Sequence, residues 1–276
     1  MITAALTPLT SRATQRAHKP AQPAGRDLDR RLLGLVLLLL VAIIPAAIGL
    51  GVDERMLRDV NVWVKPIKFM ASLALLALTT AWFAAQLPAA VRRGRSFTAL
   101  VWTLIATGGF EVAYITLQAA LGQASHYNVA DSLHMALYGL MGAAALVLTA
   151  TQPWLAVLIW RHGDRSLAPA FRLSVLLGLA LTFVLGAGSG LLLGGLQPVG
   201  GPGLPIVGWS RIGGDLRVAH FIGMHAEQVL PAVALVLAAW RPRAAIAGTW
   251  LAAAGLSALW VLVLVQALAG RPLIDL

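Results

Sequence analysis

An all-α, polytopic transmembrane bundle of about seven helices is the fold class this 276-residue sequence predicts, on three observations. Hydrophobic residues make up 59% of the chain and charged residues 12%, against roughly 45–50% and about 25% in soluble domains. Apolar runs of about 18 residues or more, each able to cross roughly 30 Å of hydrocarbon as a helix, recur along the chain. Alternation of period two, the mark of a membrane β-strand, is absent.

Residues 1–31 are polar, with Arg, Pro, Thr and Ala and no apolar signal core, so they read as a disordered cytoplasmic tail. A mitochondrial transit peptide is the alternative for so Arg-rich and acid-poor a start. One transmembrane domain, 32–276, then contains the runs 32–51, 66–87, 98–121, 132–157, 173–195, 216–240 and 245–268. The second opens on Lys65-Pro66-Ile67-Lys68, with proline in the first turn and both lysines expected to snorkel to the interface. The third carries Glu111 in its middle. Asp131 and Asp215 stand immediately before the fourth and sixth runs, where an aspartate caps free backbone N–H groups. In the fifth, Gly186, Gly190 and Gly194 recur every four residues and form a close-packing face. The sixth holds His220, His225 and Glu227, and Pro231 in it removes a backbone hydrogen bond and crowds the Glu227 carbonyl, which predicts a kink.

Lys and Arg are retained on the cytoplasmic side of a membrane. With the N-terminus inside, the inner segments hold fourteen of them and the outer segments seven, so the chain is expected to run N-in and C-out. Six tryptophans, Trp82, Trp102, Trp154, Trp160, Trp240 and Trp250, fall near the inner interface on that reading. The net charge of +10 then reflects topology and contact with anionic lipid; no basic groove with interleaved aromatics points to nucleic acid. Arg outnumbers Lys eighteen to three amid abundant Ala, Gly and Leu, which looks like a GC-rich bacterial coding bias. Cysteine is absent, which excludes disulfides, thiolate metal sites and cysteine nucleophiles.

A carboxylate at mid-membrane depth costs several kcal/mol and is normally kept where it pairs, binds an ion or moves a proton. At 1.5 Å per residue, Glu111 lies about 15 Å from the outer end of its helix, and His225 and Glu227 about 13–17 Å from theirs. That shared depth predicts one pocket between the third and sixth helices, open outward, with Glu111 and Glu227 as its reactive carboxylates. A shallower layer of Lys68, Gln118, His134 and His220 lies above it. Glu111, Tyr114 and Gln118 share one helical face; His220, Met224, Glu227 and Pro231 share another, with Gln228 beside it. His220 and His225 lie about 140° apart on a straight helix and do not form a chelate. The Gly/Pro-rich loop 196–215 and the loop 122–131 are expected to cover the pocket, delivering Trp209, Ser210 and Arg211 beside His126, with Arg217 nearby.

The strings Asn61-Val-Trp-Val-Lys-Pro-Ile-Lys-Phe69, Gln123-Ala-Ser-His-Tyr-Asn128 and Gly214-Asp-Leu-Arg-Val-Ala-His-Phe-Ile-Gly-Met-His-Ala226 resemble those of an uncharacterised family of bacterial multi-pass membrane proteins. The resemblance covers the second to sixth helices and implies a bacterial inner membrane and no assigned activity. Seven-helix metal-dependent amidases of the alkaline-ceramidase type are a poor match, because their Ser-x3-His and His-x3-His patterns are absent. Rhodopsin-like chemistry fails for want of a lysine in the seventh helix.

Three functional classes stay open. In the first, the pocket binds a metal ion or haem for redox or related chemistry, with His126, His220 and His225 as metal ligands and His134 and His220 flanking a transverse haem. The second is a proton-coupled transporter or small-molecule binder in which Glu111 and Glu227 carry protons; no internal repeat between the halves accompanies it. A structural or assembly role is the third.

Overall fold

The computed structural model describes residues 27–196, 200–201, 203–204 and 207–274. The expected tail lies outside them up to residue 26. Asp29 starts the first helix, α1 (Arg30–Val52), its carboxylate accepting the backbone N–H groups of Arg31 and Leu32. α1 ends at Asp53, which also ties the next turn together. Its carboxylate accepts from Arg55 and from Trp63 Nε1 at 2.8 Å, and its carbonyl accepts from Asn61. The Arg55 guanidinium, first, and the Trp63 indole hold that carboxyl well below the ordinary range. A two-stranded hairpin, Met56–Leu57 against Val60–Asn61, turns through Arg58 and Asp59 in the left-handed region and returns the chain into α2 (Val64–Ala84). Trp63 packs so closely on α1 that a Cβ at Gly49 would meet its ring at 2.7 Å.

A short helix, α3 (Ala89–Arg92), leads into α4 (Arg95–Ala120), and α5 follows (Ser132–His162), capped by Asp131 on the His134 N–H at 2.9 Å. The fifth run is α6 (Pro169–Leu181) continued by a π-helical turn, Thr182–Ala187, and α7 (Gly188–Gly195). The sixth is broken into α8 (Leu216–Met224) and α9 (Ala226–Trp240), bent by 52° at His225, and α10 (Ala245–Leu268) completes the bundle. Six helices are long and apolar enough to cross a membrane, and seven if this bent pair counts as one span, in line with the number expected from composition. The chain is an all-α helical bundle and an integral membrane protein.

Two features of the sixth run differ from expectation. The break falls at His225 instead of at Pro231, which sits inside α9. Its cause lies in the neighbouring helix: Gly223 is seated on backbone, where a Cβ would come within 2.6 Å of Gly186 N and 2.7 Å of the Leu185 carbonyl carbon. Two glycines of the expected close-packing face meet α8, Gly186 against Met224 and Gly190 against His220, whereas Gly194 has nothing within 4 Å; Gly178, earlier in the same run, meets the Glu227 backbone.

Packing divides the bundle around α2, which lies against α1, α4 and α5, while α9 packs against α6 and α10. The main core is built from Leu32, Leu35 and Leu39 of α1, Leu73, Leu76 and Phe83 of α2, Phe97, Leu100 and Leu104 of α4, Leu155 and Ile159 of α5, and Leu179 of α6. A smaller cluster of Tyr114, Ile115 and Met141, flanked by Phe69, Phe110 and Leu137, sits between α4, α5 and α2. The predicted Glu111–Glu227 pocket requires α4 and α9 to face each other. Instead α4 packs chiefly on α5 and α2, so the two carboxylates fall in separate surroundings despite their similar depth.

Candidate functional site

The first polar site is built on one face of α4. Glu111, Tyr114 and Gln118, at i, i+3 and i+7, are buried to 4%, 7% and 3% exposure. Glu111 Oε1, the Tyr114 hydroxyl and Gln118 Oε1 are all enclosed and have no hydrogen-bond partner. Opposite them, Lys65 does not snorkel out. Its ammonium donates to Ser125 Oγ at 2.8 Å, lies 5.7 Å from the centre of the Phe69 ring, and comes within electrostatic range of Glu111. An ammonium held inward beside a carboxylate loses less on burial than either charge alone.

The 121–131 loop closes this site where α4 ends and α5 begins. Ser125 Oγ lies 3.3 Å from His126 Nδ1, and the His126 ring packs edge-on to Phe69 and against Tyr138. Burial, reinforced by the Lys65 charge, pushes the His126 imidazole down to about 3, so it is neutral at ordinary pH. Tyr127 adopts a left-handed φ of 56°, uncommon for a non-glycine residue. Two contacts hold it: its hydroxyl donates to the Leu193 carbonyl and its ring lies on Tyr138, whose own hydroxyl donates to Gly194 at 2.6 Å. Burial raises the Tyr127 phenol to about 12, so that hydroxyl remains a donor.

The second site lies at the break in the sixth run. Glu227 is fully enclosed, and Gln228 Nε2 donates both to Glu227 Oε1 at 2.9 Å and to Thr79 Oγ1 of α2 at 3.2 Å. Glu227 Oε2 and Thr80 Oγ1 have no partner. His225 Nδ1 donates to Gln228 Oε1 at 3.2 Å. Because the helix is interrupted, the Glu227 backbone N–H has no carbonyl one turn back. It donates instead to Thr182 Oγ1 at 3.1 Å, in the first position of the π-helical turn. Broken helices and π-turns recur at functional sites because they leave backbone groups for something other than the helix.

The remaining expected site residues are engaged elsewhere. His134 pairs with Asp131 at 2.7 Å through Nδ1 and with Gln123 at 3.2 Å through Nε2, so both ring nitrogens are taken. His220 donates from Nδ1 to the Gly186 carbonyl at 2.9 Å, joining α8 to the π-turn. These two imidazoles belong to different parts of the bundle. Among the described residues, no group of three or more His, Asp or Glu is placed to hold a metal ion. Arg217 fastens the segment before α8, donating to Asp215 at 2.5 Å and to the Gly208 carbonyl at 2.7 Å, while Lys68 donates to Val207 O at 3.1 Å. Asp215 also accepts from Ser210 N at 2.8 Å. Burial alone would raise the Asp215 carboxyl, but Arg217 and these backbone donors hold it below its usual range. Trp209 packs edge-on to Phe221, and Arg211 keeps its Nε enclosed without a partner. The described part of the 196–215 loop therefore bridges α2 and α8, and the Glu111 site is covered by 121–131.

Sequence reasoning read Lys65 as an interfacial anchor and not as part of a site, and did not single out Ser125, Thr79, Thr182 or Tyr138. The i, i+4 spacing of Lys65 and Phe69 was a signal for the first, since it stacks the ammonium stem on a ring inside the helix face. Nothing local marks Thr182, whose role depends on a break in another helix.

Comparison of the chain with protein-family models, with curated proteins and with solved structures returned no match.

Proposed function

We propose that this chain binds a small polar solute in the outer half of a bacterial inner membrane and couples its binding or movement to protons, with Glu111 and Glu227 as the protonatable groups. One observation carries the reading: three enclosed polar atoms on one face of α4, from Glu111, Tyr114 and Gln118, are unpartnered, and the Lys65 ammonium of α2 lies within electrostatic range of the first of them. Leaving a buried polar atom unsatisfied costs about 1–3 kcal/mol, so three together favour a site whose partners arrive with water or ligand. The Lys65 ammonium suits an acceptor or anionic end of the solute, and the Gln118 and Glu111 oxygens suit its donors. Glu227 supports the proton half of the reading: it is fully enclosed with one oxygen held by Gln228 and the other unpartnered, and an intramembrane carboxylate is normally kept where it pairs, binds an ion or moves a proton. The metal and haem alternative draws less support, since both His134 nitrogens are occupied and His220 and His225 each spend Nδ1 on a protein acceptor.

The test uses purified protein in liposomes with an entrapped pH-sensitive dye and a panel of small polar solutes. At least one solute should drive proton uptake in wild type, and Glu111→Gln should abolish it while remaining folded and inserted. Stoichiometric bound metal or a haem absorbance band in wild type, lost in His220→Ala, would overturn the proposal in favour of a cofactor site. Tyr114→Phe combined with Gln118→Leu, if it raised thermal stability and left every solute response intact, would reduce the α4 face to packing.

A further inference from the structure

At the other end of the bundle, a cavity of about 530 Å³ is lined by Asp27, Asp29, Arg30, Arg31, Arg92 and Arg93, with Leu28, Ala89 and Thr98 completing its wall. Its volume falls in the range of small-molecule sites, about 300–1,000 Å³. The two acidic groups offset only part of the charge of the four arginines and leave the lining net positive. Asp29 is spent on Arg31, at 2.7 Å, and on capping α1. Arg92 donates from Nη1 to the Asp27 carbonyl at 2.5 Å and keeps its Nε enclosed without a partner. Arg30 and Arg93 make no ion pair among the described residues. Between Arg93 and Thr98, α4 begins at Gly94 with no side chain to cap it, which leaves the positive end of its dipole beside the cavity.

Four guanidinium groups therefore converge where α1 and α4 begin, at the end of the bundle that carries the larger share of arginines. Leu28 and Ala89 supply the apolar part of its wall. Arginine presents a planar fork that matches phosphate oxygens, and basic pockets at helix ends on the cytoplasmic side fit anionic headgroups. We infer that this cavity binds the phosphate of an anionic glycerophospholipid headgroup.

Native mass spectrometry of the full chain, titrated with phosphatidylglycerol, phosphatidylcholine or inorganic phosphate, tests the inference. Wild type should retain phosphatidylglycerol in preference to phosphatidylcholine. An arginine near a membrane surface is worth roughly fivefold in anionic-lipid binding, so Arg30→Gln with Arg93→Gln should weaken retention about 25-fold. Neither side chain is paired within the described protein, so this variant should fold as wild type. A matched change on another inner loop, Arg161→Gln with Arg165→Gln, should have no such effect. Equal loss in both double variants, or full retention in the first, would overturn the site. Displacement of the lipid by millimolar inorganic phosphate would overturn the lipid assignment and leave a site for a soluble phosphate.

Discussion

Replacing Gly223 with alanine probes the contact that breaks the sixth span. The added methyl would stand 2.6 Å from Gly186 N, 2.7 Å from the Leu185 carbonyl carbon and 3.0 Å from Gly186 Cα. Ordinary contact begins near 3.4 Å, so α8 and the π-turn must part by several tenths of an ångström. All three obstacles are backbone and cannot rotate away. Overpacking of this kind costs about 1–3 kcal/mol, and the rigid neighbours place the change at the upper end. Alanine returns about 0.8–1 kcal/mol of helix propensity, leaving a net loss of about 2 kcal/mol. For a domain of this size that lowers Tm by about 4–8 °C. Gly142, in α5, has no heavy atom within 4 Å of its added methyl, so Gly142→Ala should raise Tm by a degree or more through propensity alone. Thermal unfolding of both variants in one detergent gives opposite signs. A Gly223→Ala protein as stable as wild type would refute the close approach of α8 to the π-turn, and with it the explanation of why the helix breaks at His225.

Thr182→Val keeps the side-chain shape and removes the acceptor for the Glu227 N–H; a lost cap of this kind lowers stability by about 1–2 kcal/mol, read as a fall in Tm that Thr182→Ser largely restores. His126 is held neutral in the folded protein, so its contribution to stability is complete above its ordinary value of 6.5 and is lost as pH falls from there toward about 3, by up to about 1.4 kcal/mol per pH unit. Melting curves from pH 7.5 to 4.5 should therefore fall more steeply for wild type than for His126→Gln, and parallel curves would contradict the burial of that ring beside Lys65. In this cysteine-free chain, cysteines introduced at Thr79 and Gln228 should be joined by a short bifunctional reagent, whereas the pair at Glu111 and Glu227 should not; efficient joining of the second pair would restore the single-pocket arrangement that depth alone predicts.

The spans were legible because each is an apolar run of the right length, and Asp131 and Asp215 were legible as caps because the signal is local. The neighbours of Glu111 were not. Depth along a helix follows from residue counting, but which helix stands beside which depends on packing between segments far apart in sequence, and α2 takes the place beside α4 that the sixth span was expected to fill. Pro231 is a local signal for a bend, and it was outweighed by Gly223, whose meaning depends on the backbone it meets. Lys65 could be read as an interfacial anchor until the 121–131 loop supplied Ser125 as a reason for it to turn inward.

The placement of α2 has a mechanical consequence. Lys65 and Thr79 are separated by about 21 Å along this one helix and by only about 40° around it, so both polar sites hang on nearly the same edge of a single rod. One site touches that rod through Lys65, the other through the Gln228–Thr79 hydrogen bond. Pivoting α2 by about 5° about its middle would carry residues near its two ends roughly 1 Å in opposite directions. Under such a pivot, the Lys65 contact at one end and the Thr79 contact at the other would change together, so the two carboxylates would need no shared chamber for one to respond to the other.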